Sequence, residues 1–227
     1  MVRAVAAVAT AMAVLAAVVG CAAETSDRPG GLTPPLTVEL TPSPSWHPVG
    51  PAVKTGIVVG DAELIIYFWA GGDGTGTPHL EADWLDARTS AVLDRPRDAD
   101  GMAVEVRGGG SAYGEPDSPF IGIYQIAFVG HPIIEWGAIR GRPARIVIES
   151  DGRATEARFT RWPHDEDVTI FWLQRPGDPM PADTPIGNGA TRPLPPEYYP
   201  LVTAYDDADH VIDSQRIRGI GGGPYDV

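Results

Sequence analysis

The chain has 227 residues, 43 % of them apolar, with 30 acidic against 17 basic side chains and a formal net charge of −13. That length can bury a core without disulfides, and a single cysteine forbids any within the chain. The acidity, with Lys54 the only lysine and no basic cluster, excludes the phosphate-neutralising surface that nucleic acid demands, so no nucleic-acid partner is expected.

The chain opens on a targeting pattern. Arg3 supplies a positive charge, and residues 4–20 are apolar apart from Thr10. The run is shorter than the roughly 20 residues that span a bilayer and ends in small residues, which predicts a cleavable export signal over 1–20 instead of a permanent anchor helix. Val18-Val19-Gly20-Cys21 resembles the lipobox of bacterial lipoproteins, whose cysteine receives a diacylglyceryl group before cleavage on its N-terminal side. The resemblance implies lipid on Cys21 and a place on the outer face of the cytoplasmic membrane. The only thiol of the chain stands at that position. Two acyl chains suffice for stable anchoring, since each buried methylene contributes about 0.8 kcal/mol.

Residues 21–54 read as a Pro-rich linker, with prolines at 29, 34, 35, 42, 44, 48 and 51 among Thr, Ser and Gly. Extended polyproline at about 3.1 Å per residue would hold the following domain off the membrane. Within it, 36–40 also reads as a short edge strand, and Trp46 as an aromatic contact for a partner.

From Thr55 onward the pattern is one of strands. Short β-prone runs stand at 56–59 and 63–69 around the Gly60-Asp61 turn, then at 102–107 and 123–129. Residues 79–92 fit a helical stripe or a strand followed by a turn, and the alternation of Leu80, Ala82 and Trp84 favours the strand. Asp151-Gly152 between 145–149 and 154–160 is a hairpin signal. Run 168–173 is apolar on both faces, as a central strand must be, and 201–205 with 210–216 closes the series. No long amphipathic helix is visible, so the expected fold is all-β: an antiparallel β-sandwich over 55–227, either one large sandwich or two small Ig-like ones divided near 130–142.

Chemistry is sparse. No Gly-Lys-Ser/Thr and no His-Glu-x-x-His exists, which removes a P-loop and a zincin site. Gly109-Gly110-Ser111-Ala112 approaches a nucleophile elbow, but Tyr113 stands where the last glycine belongs. His79, Glu81 and Asp83 project together from one face if 79–83 is a strand, a donor set that needs a second loop to surround a cation. The acidic loops 165–167 and 206–209 lack EF-hand spacing and read as solvated turns. Of the adjacent pairs Phe68-Trp69 and Phe171-Trp172, one ring of each is expected to be buried, leaving the other for a carbohydrate or apolar ligand. Trp136, Trp162, Tyr198 and Tyr199, near loops or between prolines, are candidates for partner contact, with a hydrophobic plug as the alternative. No residue is assigned a catalytic role, and nothing requires a cofactor.

Val202-Thr203-Ala204-Tyr205-Asp206-Asp207-Ala208-Asp209-His210-Val211, with residues 137–145 and Asp151-Gly152 before it, resembles the last hairpins of lipid-anchored β-sandwich lipoproteins of high-GC Gram-positive bacteria. Asp209 stands where that pattern carries a turn glycine, which implies an Asp in a left-handed conformation. The likeness covers about 137–216 and brings no catalytic residues. Together these readings predict a non-catalytic, lipid-anchored module for an envelope protein or wall polymer. An envelope hydrolase or metal-dependent enzyme using Ser111 or His79, Glu81 and Asp83, and a small-ligand or ion-binding lipoprotein, are the alternatives.

Overall fold

A computed structural model of the protein describes residues 30–41, 46–71, 77–93, 95–98, 102–104, 106–113, 117–128, 130–150, 152–175 and 199–219. Among them there is no helix, and sixteen strands form three mostly antiparallel sheets. The five-stranded sheet runs β2 (Thr37–Val38), β3 (Trp46–Val59), β4 (Ala62–Gly71), β5 (His79–Asp86) and β6 (Val92–Leu93) in sequence order. The seven-stranded sheet runs β1 (Gly31–Leu32), β12 (Arg158–Trp162), β13 (Asp165–Gln174), β9 (Ile134–Arg140), β8 (Phe120–Phe128), β7 (Val106–Tyr113) and β16 (Arg218–Gly219). The four-stranded sheet runs β11 (Arg153–Glu156), β10 (Arg145–Ser150), β14 (Leu201–Tyr205) and β15 (Val211–Arg216). Among the described strands, only β1 and β12 pair in parallel.

The seven-stranded sheet is buried on both sides because its central strands are apolar on both faces. Alternation along β13 sends Val168, Ile170 and Trp172 to one side and Phe171 and Leu173 to the other. On the first side they meet Val53, Leu64, Ile66, Phe68, Leu80 and Trp84 of the five-stranded sheet. On the second, Phe171 and its neighbours Phe120, Ile123 and Ile139 meet Ile146, Ile148, Val202 and Ala204 of the four-stranded sheet. Each fully buried Ile, Leu or Phe contributes about 1.5–3 kcal/mol, so the stability rests on these two cores. At the centre, a Cβ on Gly137 would lie 2.5 Å from both the Gly122 carbonyl oxygen and the Phe171 ring. Only glycine lets β8, β9 and β13 approach that closely there.

The expected hairpin at Asp151-Gly152 forms between β10 and β11, with Gly152 at φ +69°. At the fully buried Ala157 the chain then leaves the four-stranded sheet and continues as β12 in the seven-stranded one. The β14–β15 turn holds Asp209 at φ +62°, the left-handed conformation expected of it. Asp206 stabilises that turn by accepting hydrogen bonds from the Ala208 and His210 amides at 2.9 and 2.8 Å.

Three expectations shift. Strand structure begins well before Thr55, because β1, β2 and the first half of β3 lie inside the stretch expected to be linker. Pro48 and Pro51 hid this: Pro51 lies in the break of register between Val49 and Val53, with Gly50 at φ +70°, while Pro48 pairs with Trp69 on a part of β3 that the described β2 pairing, limited to Ala52 and Val53, does not reach, and bulges and edges tolerate prolines. The edge-strand reading of 36–40 is realised as β2, paired to Ala52 and Val53. Residues 102–104 form only an isolated bridge from Ala103 to Arg97, and β7 starts at Val106 instead. The segment 130–142 does not separate two halves, since β9 sits between β8 and β13 within one sheet.

Candidate functional site

The five-stranded sheet turns one face to the core and leaves the other outward. On β4 the core side takes Leu64, Ile66 and Phe68, so Ile65, Tyr67 and Trp69 point outward. Antiparallel pairing sets these opposite β5 residues: Ile65 opposite Asp83, Tyr67 opposite Glu81, and Trp69 opposite His79. The three donors read as one polar face of a strand are therefore brought together on one face, beside an aromatic row that their own segment does not contain.

Ile65 and Tyr67 are buried there beneath Leu40 and beside Ala52 and Leu85, with Val38 and the half-buried Trp69 packed around them. Tyr67 donates its hydroxyl to Asp83 Oδ2 at 2.6 Å, which fixes that carboxylate at the centre of the face. The Trp69 and His79 rings lie 5.4 Å apart at 38°. His79 and Glu81 are exposed. The trio does not close on a point: successive outward residues of a strand stand about 6.8 Å apart, and among the described residues no three His, Cys, Asp or Glu side chains are grouped to hold a metal ion.

Partial burial of its carboxyl, reinforced by the negative charge of Asp83, pushes the pKa of Glu81 above the ordinary value of 4.5, against weaker hydrogen bonds from Ala82 and Trp69 and the attraction of His79. A raised folded-state pKa means that the stability contributed by protonated Glu81 is complete below about pH 4.5 and is lost as the pH rises through the folded value. Glu81→Gln is therefore expected to raise stability slightly at pH 7, by roughly 0.5 kcal/mol or less for so exposed a residue, and the melting temperature with it. The difference should vanish near pH 4, and thermal melts at the two pH values check it.

Beside Asp83 the face deepens into a groove of about 680 Å³, walled by Val38–Thr41 on one side and Leu85 and Ser90–Val92 on the other. The loop after β5 that forms the second wall is held by Asp86, whose side chain caps the Arg88 and Thr89 amides at 2.8 and 2.7 Å. Those hydrogen bonds also lower the Asp86 pKa.

The chain has no significant match among protein-family models, curated proteins or solved structures.

The other candidates lie elsewhere. Trp136 and Trp162 are 8 % and 4 % exposed and belong to the core between the five- and seven-stranded sheets, while Tyr199 is buried in the core beside the four-stranded one. The plug reading, not the surface-anchor one, describes these three. Tyr198 and Cys21 fall outside the described residues. Ser111 lies in β7, opposite Tyr124 and Arg218, in a regular ladder, so the strand-to-helix turn of a nucleophile elbow is not formed around it. The acidic loops serve their own turns and neighbours: Asp165 caps the Asp167 amide at 3.0 Å, Asp167 meets Arg142 at 3.3 Å, and Asp209 meets Arg145 at 2.8 Å. Of the two aromatic pairs, Phe68-Trp69 divides as expected, with Phe68 inside and Trp69 half-buried outside, whereas Phe171 and Trp172 are both buried. Tyr67 and the groove walls escaped the sequence reading. The alternation Ile65, Tyr67, Trp69 was legible, but its meeting with His79, Glu81 and Asp83 depends on a register no local signal fixes.

Proposed function

We propose that this protein is a lipid-anchored, extracytoplasmic β-sandwich module that binds an envelope component and performs no chemistry on it. The observation that carries this reading is the outward face of the five-stranded sheet. It combines a half-buried Trp69, exposed His79 and Glu81, a Tyr67-fixed Asp83 and an adjoining groove. Such a face, apolar beneath and polar at specific points, is suited to recognition. The anchoring half of the proposal rests on the lipobox pattern ending at Cys21 and on the resemblance of the C-terminal hairpins to lipid-anchored lipoproteins. The stacking of sheets on both sides of a central one supports the sandwich reading.

Cross-linking and affinity capture of the anchored protein, analysed by mass spectrometry, test both halves. We expect the native chain to stay with membranes through an alkaline wash and Cys21→Ser to be released. We expect Glu81→Arg, a charge reversal on an exposed position, to abolish capture of the specific partner while leaving anchoring intact. Capture that is indifferent to Glu81→Arg would remove the face from the proposal, and a Cys21→Ser variant that stays membrane-bound would remove the anchor.

A further inference from the structure

The geometry points to a carbohydrate without net negative charge as the ligand of the outward face of the five-stranded sheet, an inference that rests on that face being the binding surface. A sugar ring offers C–H groups on its flat side and hydroxyls at its edge, and it needs an aromatic plane next to fixed hydrogen-bonding groups. Trp69 supplies the plane, half-buried, with the His79 ring 5.4 Å away. Glu81 and Asp83 follow on the same side of β5 at steps of about 6.8 Å, and the groove beyond Asp83 continues the track. From His79 to Leu85 it runs for roughly 20 Å, long enough for a short oligosaccharide and too open to enclose a compact small molecule.

Charge narrows the class. Glu81, Asp83 and Glu39 line the track, while Lys54 is engaged by Glu63 at 2.8 Å, so a polyanion would meet repulsion along its length. A closely packed apolar partner is disfavoured for a different reason. It would strip water from the Glu81 and Asp83 carboxylates without replacing those hydrogen bonds, which is costly for charged groups. Sugar hydroxyls replace them, and an amino group adds attraction.

The test uses the full-length lipidated protein in nanodiscs, titrated with the tetrasaccharide of N-acetylglucosamine, that of glucosamine, and tetragalacturonate, and followed by saturation-transfer NMR and calorimetry. We expect the first two to bind, the glucosamine form more tightly, and tetragalacturonate not to bind. His79→Ala and Glu81→Gln, both at exposed positions, should each weaken binding by about tenfold, the effect of a lost charge-assisted hydrogen bond or ring contact, with near-UV circular dichroism unchanged. Equal binding of tetragalacturonate, no binding of any sugar, or unaltered binding by both variants would overturn the inference. Should no sugar bind while Glu81→Arg still abolishes capture of a cross-linked partner, the carbohydrate inference falls and the binding face stands; should both experiments fail, both fall.

Discussion

Replacing Arg175 with methionine is expected to cost about 3–5 kcal/mol of stability, the usual loss when one partner of a buried ion pair is removed. Arg175 Nη2 meets Glu135 Oε1 just past the end of β13, and Glu135 has no exposed surface while the arginine side chain keeps only 14 %. Glu135 lies in β9, opposite the buried Gln125 of β8, on the side of the seven-stranded sheet that faces the four-stranded one. Without the guanidinium its carboxylate loses the opposite charge whose Coulomb attraction had helped to offset the loss of water in a low-dielectric interior. Adding Glu135→Gln to Arg175→Met should recover part of the loss, because a neutral amide is far cheaper to bury than a carboxylate. Chemical unfolding of the four chains, followed by tryptophan fluorescence, gives the cycle. A single-variant loss under about 1 kcal/mol would mean that the pair does not hold this end of the sheet together.

How much of this molecule was legible in its sequence depends on whether a feature is local. The all-β class, the β10–β11 hairpin and the two-faced strand β13 all follow from patterns a few residues long: many short β-prone runs, Asp-Gly between two of them, an apolar stretch with both parities filled. The start of the fold was not legible for an equally physical reason. Prolines in 46–54 argue against a strand wherever each amide must donate; Pro51 is admitted by the bulge beside Gly50, supported from another sheet, and Pro48 by its place on β3 beyond the residues that β2 pairs. The shift of the chain from one sheet to another at Ala157 carries no turn signal, since no Gly or Pro interrupts 153–162.

The site divides in the same way. His79, Glu81 and Asp83 share a face by the two-residue period of a strand, which the sequence displays. Their surroundings come from β4 by register and from 38–41 and 90–92 by tertiary closure, so neither the Tyr67 hydrogen bond to Asp83 nor the groove has a sequence signature. The tryptophans near loops left two readings open for a related reason. A loop-adjacent aromatic can turn inward to close the end of a core as readily as outward to meet a partner, and only packing decides.

Trp162 is the case in which those two roles give opposite results. It is 4 % exposed, its ring centroid lies 4.5 Å from that of Phe68, and its indole Nε1 donates to the Pro51 carbonyl at 3.0 Å. Through these contacts β12 of the seven-stranded sheet grips the bulged part of β3, where His164 also lies so close that a Cβ on Gly50 would stand 2.5 Å from it. Trp162→Ala is therefore expected to cost about 3–5 kcal/mol, a fall in melting temperature of roughly 6–20 °C for a domain of this size. Trp162→Phe keeps most of the buried area and loses the hydrogen bond to Pro51, so its cost should be about 1–3 kcal/mol. A surface anchor would behave the other way: the alanine variant would melt like the native chain and lose only its partner. Melting curves for the two variants, set beside capture of the partner, separate the roles, because a core tryptophan lowers the melting temperature in proportion to what is removed whether or not any partner is present.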